Sequence, residues 1–323
     1  NVDTLQMTPS RMQMLLNDEE SSSCLADVKT IMLGGEALPQ PLLEAVRSVT
    51  DARIYNMYGP TETTIWSSVK ELTDSEQVTI GKPIANTGIY ILDASNQVQP
   101  IGVPGELCIT GDGLARGYWQ RQELTEEKFI PNPLQDIKDI DVIGERMYRT
   151  GDLARWLPNG EIDFAGRIDQ QVKIRGYRIE PGEIENELIK FDGVKEVAIV
   201  ARDDNNGSKN LWAYIISENE FNVQDIKGFL GKELPAYMIP TYFIPIEELP
   251  YTPNGKLNRK ALPEPDADIV SGVEYIPPST EIEEKLIKIW EEVLGIEGIG
   301  VKHNFFDVGG NSINIIKVIN LIS

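Results

Sequence analysis

Apolar and polar residues alternate with a period of two in several stretches of the first half of the chain, which predicts short β-strands. Segments 88–93 (GIYILD) and 105–110 (GELCIT) are typical of strands, whereas residues 41–49 repeat their apolar positions as an amphipathic helix does. Segment 157–164 (LPNGEIDF) predicts a hairpin that turns at Pro158-Asn159-Gly160. This half therefore combines strands, glycine-rich turns and short helices.

A second pattern begins near Asp169 and predicts a small α/β domain. A helix is expected from Glu183 to Phe191, followed by strands at 197–201 (VAIVA) and 211–216 (LWAYII). A further helix is expected from about Val223 to Leu234. The order helix, strand, strand, helix is typical of a small domain in which helices cover a sheet.

Prolines and acidic residues fill the stretch 262–279, which predicts a semi-rigid linker. Ser279 or Thr280 can then cap an amphipathic helix, and a last helix is expected to start at Ser312, after the pair Gly309-Gly310. The apolar positions of the capped helix recur at helical spacing: Ile282, Leu286, Ile289 and Val293.

Acidic residues outnumber basic ones and limit the partners of the protein. Of 323 residues, 51 are acidic and 30 are basic, which gives a formal net charge of −21. Such a surface repels nucleic acid and anionic membranes, although a local basic site can still bind a small anion. The hydrophobic content of 41% is ordinary for a soluble globular protein. No apolar run reaches the ~18 residues of a membrane span, and no signal peptide opens the chain.

The chain has few residues for thiol or imidazole chemistry. Cys24 and Cys108 lie far apart with no disulfide or metal-ligand spacing, which favours a reduced, cytoplasmic compartment. His303 is the only histidine, so a Ser-His-Asp or Cys-His site could be built around that residue alone. We therefore expect the chemistry to use lysine, carboxylates, backbone amides and a metal held by substrate phosphates.

Several segments carry residues suited to a nucleotide. Segment 55–64 (YNMYGPTETT) surrounds Glu62 with hydroxyls, which can hold a phosphate and its magnesium ion, although the same residues also make an ordinary capped turn. In 148–153 (YRTGDL), Asp152 follows a glycine and could accept two ribose hydroxyls. Segment 166–185 alternates Arg167, Lys173, Arg175 and Arg178 with small and apolar residues in an acidic protein. These basic side chains face either an anion or, if the segment is a solvated strand, water.

Two single residues have both a structural and a chemical interpretation. Lys256 lies in a tight turn at 254–259 (NGKLNR), where a lysine is often only a surface residue. Ser312 follows a double glycine at the start of a helix, where a serine is usually only an N-cap. Neither residue identifies a reaction by itself.

Together and in this order, the segments resemble the adenylation domains of nonribosomal peptide synthetases. The resemblance covers essentially the whole chain. It departs at Pro181, where leucine is common, at Asn258, where aspartate is usual, and at Asn311, where histidine or aspartate is usual. The shared motifs are YGPTE, GELxIxGxGLARGY, YRTGDL, GRxDxQVKIRGxRIExGEIE, LPxYMxP and NGK, and the final FFxxGGxS resembles the attachment site of a peptidyl carrier domain.

The resemblance implies an α/β adenylate-forming enzyme fold followed by an incomplete all-α carrier bundle. Residues 1–168 would be the C-terminal part of the large subdomain, and residues 169–261 the small α/β C-terminal subdomain. Residues 262–279 would be the linker, and residues 280–323 a partial peptidyl carrier domain. Because the family's upstream phosphate loop and amine-binding aspartate are absent, the chain is expected to be a fragment that is inactive alone.

The resemblance also implies two half-reactions, which are formation of an aminoacyl-AMP from ATP and its transfer to 4′-phosphopantetheine as a thioester. Lys256 would bridge the two reacting anions, and Asp169 would be the hinge that moves Lys256 between the steps. Ser312 would carry the 4′-phosphopantetheine. The other implied contacts are Glu62 for Mg²⁺, Thr61 for phosphate, Asp152 and Arg167 for the ribose, Tyr58 for stacking on adenine, and Asn56 for the edge of the base.

Aligned with the family's substrate pocket, the chain predicts bulky apolar walls and a single small residue. No charged pocket residue is visible, so an acidic or basic side chain has no partner there. Glycine is the predicted substrate, with alanine second, and the pattern resembles that of glycine-activating members; alternatively these are only core residues. The pocket residues are Gln6, Met32, Gly34, Met57, Ile65 and Trp66.

The implied partners are an amino-acid substrate, a phosphopantetheinyl transferase, neighbouring condensation or other synthetase domains, and a small MbtH-like activator. The implied product is a peptide of the antibiotic or siderophore kind. Two alternatives stay open: an acyl-CoA ligase, which shares the adenylate chemistry but needs no attached carrier, and a non-catalytic remnant that only docks partner domains.

Overall fold

The computed structural model describes residues 2–17, 19–135, 143–203, 209–219, 221–252, 257–263, 275–305, 308, 310 and 312–322. The chain divides into two compact units, Asn1–Asp169 and Gln170–Ser323. Within the described ranges, no helix is long and apolar enough to cross a membrane.

The first sheet of unit Asn1–Asp169 has parallel strands at one side and antiparallel strands at the other. In the described residues its strand order is β1-β2-β3-β4-β5, with β1, β2 and β3 parallel. Ile31, Leu33 and Ile54 point to one face and are almost fully buried against apolar residues of the flanking helices. The elements are β1 (Thr4–Met7), α1 (Pro9–Leu16), α2 (Glu19–Ser23), β2 (Thr30–Gly34), α3 (Gln40–Val49), β3 (Arg53–Tyr58), β4 (Ser68–Glu71) and β5 (Lys82–Pro83).

The second sheet of this unit is antiparallel, with the order β10-β9-β7-β6 and β8 beside β9. It confirms the strands expected at 88–93 and 105–110 and the hairpin at 157–164, where Gly160 takes a positive φ of 74°. The expected helix at 41–49 is confirmed as α3. The elements are β6 (Thr87–Leu92), β7 (Gly105–Gly111), α4 (Gln122–Lys128), β8 (Phe129–Pro131), β9 (Arg146–Trp156) and β10 (Ile162–Arg167).

Unit Gln170–Ser323 opens with a short hairpin formed by the basic segment. Its strands are β11 (Val172–Ile174) and β12 (Tyr177–Ile179), joined by a turn in which Arg175 and Gly176 both have positive φ. Lys173 pairs across the hairpin with Arg178. The segment is therefore a two-stranded ribbon with basic residues on it.

The α/β part of this unit confirms the two predicted strands and corrects both helix ends. In the described residues, β13 and β14 are antiparallel, and β14 pairs with a parallel strand that was not predicted. The helix expected from Glu183 to Phe191 begins at Pro181 and ends at Leu188, because a proline suits the first helical position and residues 188–191 form a tighter turn. The elements are α5 (Pro181–Leu188), β13 (Val194–Asp203), β14 (Lys209–Ser217), α6 (Val223–Leu230) and β15 (Tyr242–Pro245).

The helix expected from Val223 to Leu234 ends four residues early, at Leu230. Gly231 is the C-cap, and its N–H donates to the carbonyl oxygen of Lys227. Glycine has low helix propensity, so the chain continues as a turn up to Leu234. The apolar side of α6 still packs where the sequence indicated, with Ile226 and Leu230 fully buried.

Two helices follow the proline-rich stretch, α7 (Glu281–Leu294) and α8 (Ser312–Ile322). Thr280 caps α7, and α8 starts at Ser312, as expected. The predicted apolar stripe of α7 is wrong in its first half, because Ile282 is 71% exposed and Leu286 lies outside the buried cluster. The buried cluster uses side chains next to the predicted ones, such as Ile287 and Trp290. The Trp290 ring packs edge-on against the ring of Phe305, with 4.9 Å between the ring centroids. The α7 members of the cluster are Ile287, Ile289, Trp290, Val293 and Leu294.

The capping box of α7 gives a test of this part of the fold. The Thr280 hydroxyl accepts a hydrogen bond from the Glu283 N–H at 3.2 Å, and the Glu283 carboxylate accepts the Thr280 N–H at 3.0 Å. We expect Thr280→Ala to cost about 1 kcal/mol, so that amides of α7 exchange hydrogen roughly fivefold faster. Thr280→Ser keeps the cap and is the control. Unchanged exchange in Thr280→Ala would show that the cap does not stabilise α7.

Candidate active site

A β-bulge in β9 presents Asp152. Here β7 and β9 change register, so that residues 150–152 lie opposite Leu107 alone. The hydroxyl of Thr150 donates to the Leu107 carbonyl oxygen at 2.6 Å and accepts the Asp152 N–H at 2.9 Å. The extra residues thus have a fixed geometry although they are outside the regular ladder.

The buried Asp152 carboxylate belongs to a chain of polar contacts that runs from the buried Tyr58 to the exposed Asp169. It accepts the Tyr58 hydroxyl at 2.5 Å and Arg167 Nη1 at 2.8 Å. Arg167 also donates from Nε and Nη2 to the two carboxylate oxygens of Asp169, each at 2.5 Å. Burial, and next the negative charge of Asp152, raise the pKa of Tyr58 well above its usual value. The phenol therefore remains a donor at neutral pH.

Position 151 needs a glycine because the side chains of Arg167 and Asp169 lie close to its backbone. Its φ is +71°, a left-handed conformation that favours glycine. A methyl group there would lie 2.8 Å from Arg167 Nη2 and 2.8 Å from Asp169 Oδ2. The glycine of the YRTGDL motif thus leaves room for the pair beside Asp152.

The ring of Phe164 lies near that of Tyr58 and is the more exposed of the two. The two rings lie 6.3 Å apart, but Phe164 is 36% exposed whereas Tyr58 is 8% exposed. Asn56 is also buried, and its Nδ2 donates to the Thr79 carbonyl oxygen at 2.8 Å. Stacking of Tyr58 on adenine and contact of Asn56 with the base stay predictions.

The loop between β3 and β4 holds Glu62 in a buried position. Tyr118 donates its hydroxyl to Glu62 Oε1 at 2.7 Å, and its ring packs against Phe129, which also packs against Tyr148. Burial, and next the hydrogen bonds with Tyr148 and Glu62, raise the pKa of Tyr118. Thr61, immediately before Glu62, is exposed. The loop therefore offers one oriented carboxylate and one exposed hydroxyl, both hard oxygen ligands of the kind that Mg²⁺ prefers.

This loop is braced although its backbone is strained. Thr64 and Ile65 both have positive φ, 61° and 74°, which is rare for β-branched residues. The Thr64 hydroxyl donates to the Gly113 carbonyl oxygen at 2.6 Å, and the Ser67 N–H donates to the Tyr58 carbonyl oxygen at 2.8 Å. These contacts hold the turn that carries Glu62.

Residues predicted for the substrate pocket share one face of the first sheet. Gln6 on β1 lies opposite Met32 on β2. Two residues later on β2, Gly34 lies opposite Met57 on β3. Because paired residues and residues two apart in a strand point the same way, these side chains share the face opposite Ile31.

Trp66 covers this face at Gly34. A methyl group on Gly34 would lie 2.6 Å from Trp66 Cη2 and 2.5 Å from the Met57 carbonyl oxygen. The benzo edge of the indole therefore lies directly on the Gly34 backbone. Ile65, the remaining predicted pocket residue, is 58% exposed.

Other predicted residues belong to the second unit or have structural roles. Lys256 lies outside the described residues, and Ser312 is described only as the first residue of α8. The Nδ1 of His303 accepts the Gly300 N–H at 3.0 Å within its own turn. Neither Cys24 nor Cys108 forms a disulfide bond.

Sequence reasoning missed Glu106, Tyr118 and Phe164. The first two lie inside the motif at 105–119, which by itself indicates only a strand, a glycine turn and an aromatic end. Glu106 is a charged residue within the apolar run GELCIT, and it is only 9% exposed. A buried charge usually has a paired donor or cation, so its position in the run could have indicated a buried ion pair. The partners of Tyr118 and Phe164 come from distant segments, so no local pattern reveals them.

Family comparisons match the two units in sequence order. The AMP-binding enzyme family matches residues 1–119, and its C-terminal domain family matches residues 183–256. The phosphopantetheine attachment site family matches residues 284–323. These families imply ATP and 4′-phosphopantetheine as cofactors.

Relatives of known function are multidomain peptide synthetases. Gramicidin S synthase 2 of Brevibacillus brevis is 50% identical over 302 residues, 92% of this chain and 7% of that protein. Tyrocidine synthase 3 of Brevibacillus parabrevis is 46% identical over 325 residues, 99% of this chain and 5% of that protein. The chain therefore spans only a small part of the length of these relatives.

A solved structure shares the same domain combination. Holo-PA1221, an NRPS protein containing adenylation and PCP domains, aligns with a TM-score of 0.78 and 28% identity, covering 98% of this chain and 51% of that one. The predicted α/β adenylate-forming fold with carrier helices is thereby confirmed. The chain belongs to the nonribosomal peptide synthetases, of which it contains adenylation-domain and carrier-domain sequence.

Proposed function

We propose that the synthetase containing this chain activates an amino acid, glycine, as aminoacyl-AMP and loads it as a thioester on phosphopantetheinylated Ser312. The observation that carries the proposal is the pair of buried carboxylates, Asp152 and Glu62, each accepting a tyrosine hydroxyl. Burying a carboxylate is costly, which favours a functional reason for both of them.

Adenylation requires two anions to approach each other. The substrate carboxylate attacks the α-phosphorus of ATP, the bond to the bridging oxygen breaks, and pyrophosphate leaves. In this proposal Lys256 supplies the positive charge between them, and the Asp152 carboxylate, with Arg167 beside it, accepts the ribose hydroxyls. Thioester formation follows, when the phosphopantetheine sulfur attacks the acyl carbon and AMP leaves.

The loop of Glu62 fits a magnesium ion bound with ATP. The Glu62 carboxylate is oriented by Tyr118, and Thr61 presents an exposed hydroxyl beside it. When bound, the ion neutralises charge on the phosphates. Glu62 would hold it and Thr61 would contact phosphate.

Glycine is supported by the contact between Trp66 and Gly34. Because the indole edge lies on the Gly34 backbone, it fills the space above this part of the sheet. A bulky ring here, with Met32 and Met57 on the same face, leaves little volume for a side chain. One methyl group changes selectivity by only ~1–3 kcal/mol, so alanine is the second candidate.

The contacts of Asp169 support its proposed role as a hinge. Asp169 is the last residue of the first unit, and Arg167 joins its carboxylate to that of Asp152. A change of backbone direction at Asp169 would therefore alter a contact of the ribose site. A phosphopantetheinyl transferase, neighbouring synthetase domains and a small MbtH-like activator complete the proposed partners.

Lys256→Ala in the intact synthetase tests the adenylation step. We expect amino-acid-dependent exchange of pyrophosphate into ATP to fall by roughly 10²–10³-fold, because a cation is lost where negative charge develops. Ser312→Ala is the control, since it should keep the exchange and lose only thioester loading. Exchange within a few-fold of the wild type in Lys256→Ala would contradict the assignment.

Tyr118→Phe tests how Glu62 is held. We expect the variant to need roughly tenfold more Mg²⁺ for half-maximal exchange, because the carboxylate loses its orienting donor. Glu62→Gln should shift the Mg²⁺ requirement further, since it removes the charge. The matched control is Tyr251→Phe, which removes a tyrosine hydroxyl that donates to a different glutamate, Glu196, at 2.9 Å. Equal Mg²⁺ titrations for wild type and Tyr118→Phe would reject this role.

Substrate dependence of the exchange tests the glycine proposal. We expect the parent synthetase to exchange with glycine, weakly with alanine, and hardly with leucine or phenylalanine. In Trp66→Ala the preference should move toward alanine and larger amino acids by at least roughly tenfold, because the indole is removed. Strong exchange of the wild type with leucine, phenylalanine or a charged amino acid would show that the pocket is misidentified.

A further inference from the structure

We propose that Glu106 is a positioning residue for the nucleotide ribose, acting on Asp152 through the backbone of the β9 bulge. The proposal rests on the proposed function, in which Asp152 accepts the ribose hydroxyls. Glu106 would act on Asp152 indirectly, through the backbone that carries it.

Glu106 is a buried carboxylate in an apolar strand. It lies in β7 with buried neighbours on both sides, and it is 9% exposed. Its Oε2 accepts Arg149 Nε at 2.9 Å and also Arg149 Nη2. Its Oε1 accepts the backbone N–H of Gly151 at 3.1 Å. One carboxylate therefore joins a cation on β9 to the residue before Asp152.

The bulge explains why this N–H needs a side-chain acceptor. Residues 150–152 lie outside the regular pairing of β7 with β9. The buried Gly151 N–H is therefore outside the ladder of backbone hydrogen bonds between these strands. Glu106 Oε1 supplies the acceptor. Removing it leaves a buried donor unsatisfied on the peptide unit between Thr150 and Gly151, and this peptide is then free to rotate.

Arg149 makes the buried charge of Glu106 tolerable. The guanidinium faces the carboxylate through two nitrogens, and its side chain is 36% exposed whereas that of Glu106 is 10% exposed. A carboxylate buried to this extent without a cation would be expensive. The pair thus permits a charged acceptor, which binds an N–H more strongly than a neutral one.

Rotation of the Thr150–Gly151 peptide has a specific consequence. It displaces Gly151 and thereby moves the Asp152 carboxylate relative to Tyr58 and Arg167, which both donate to it. The interaction lost first is the one with ribose hydroxyls, while the amino-acid site on the first sheet is unchanged. Glu106 should therefore control preference for ATP over deoxy nucleotides.

The experiment compares ATP with 2′-deoxy-ATP and 3′-deoxy-ATP in pyrophosphate exchange by the intact synthetase. We expect Glu106→Ala to lower kcat/KM for ATP by roughly tenfold and to change that for the deoxy analogues by less than about threefold. The KM for the amino acid should stay the same. Arg155→Ala is the matched control, because it breaks the Arg155–Asp163 pair on the same strand without touching the bulge.

Two further variants separate positioning from folding. Glu106→Gln keeps an oxygen that can accept the Gly151 N–H, so it should retain most of the discrimination between ATP and the deoxy analogues. Glu106→Asp keeps the negative charge beside Arg149 but shortens the side chain, so it should lose the discrimination between ATP and the deoxy analogues. This variant keeps the inference testable if Glu106→Ala folds poorly.

Asp152→Ala distinguishes this inference from the proposed function. If Asp152→Ala still prefers ATP over the deoxy analogues, the ribose role of Asp152 fails and this inference fails with it. If Asp152→Ala loses the preference while Glu106→Ala and Glu106→Asp keep it, only the inference is overturned. The inference would also be overturned if Glu106→Ala and Glu106→Asp lowered kcat/KM equally for ATP and the deoxy analogues and raised the KM for the amino acid.

Discussion

The hydrogen-bonded Asp152 carboxylate is the interaction on which the rest of the candidate site depends. It joins Tyr58 at the end of a parallel strand to Arg167 at the end of a hairpin, and Arg167 in turn holds Asp169 at the limit of the first unit. A bulge makes this geometry possible, because regular pairing would point successive side chains to alternate faces. The glycine within it admits the arginine–carboxylate pair without a clash.

The same construction recurs at Glu62 and at Glu106. In each case a buried carboxylate is held by a donor from a distant segment: Tyr118 for Glu62, and Arg149 with the Gly151 amide for Glu106. A chain with a net charge of −21 repels anions as a whole, so the proposed nucleotide would depend on locally placed donors and a metal ion. Fixed carboxylates suit hydroxyl donors and a metal ion, and the cations near them limit local repulsion.

Local pattern predicted the strands and helices with strong periodicity and failed where distant contacts decide the boundary. The strands β6, β7, β13 and β14 followed from runs of apolar residues. The short strand β15 was missed because its identity depends on parallel pairing with β14, which a single segment does not encode. On α7, apolar residues occupy adjacent stripes, and only the fit of Trp290 against Phe305 selects the buried one.

By itself, the sequence determined which family the chain resembles, which residues are suited to nucleotide chemistry, and in what order they occur. Glycine, proline and hydroxyl residues at fixed spacing restrict the backbone locally, so Asp152 and Glu62 were candidates from their turns, and the family resemblance gave them their predicted roles. Only the tertiary structure decided which side chains hold those carboxylates. Tyr118, Glu106 and Phe164 derive their importance from segments far along the chain, and such contacts exist only once the sheets have paired.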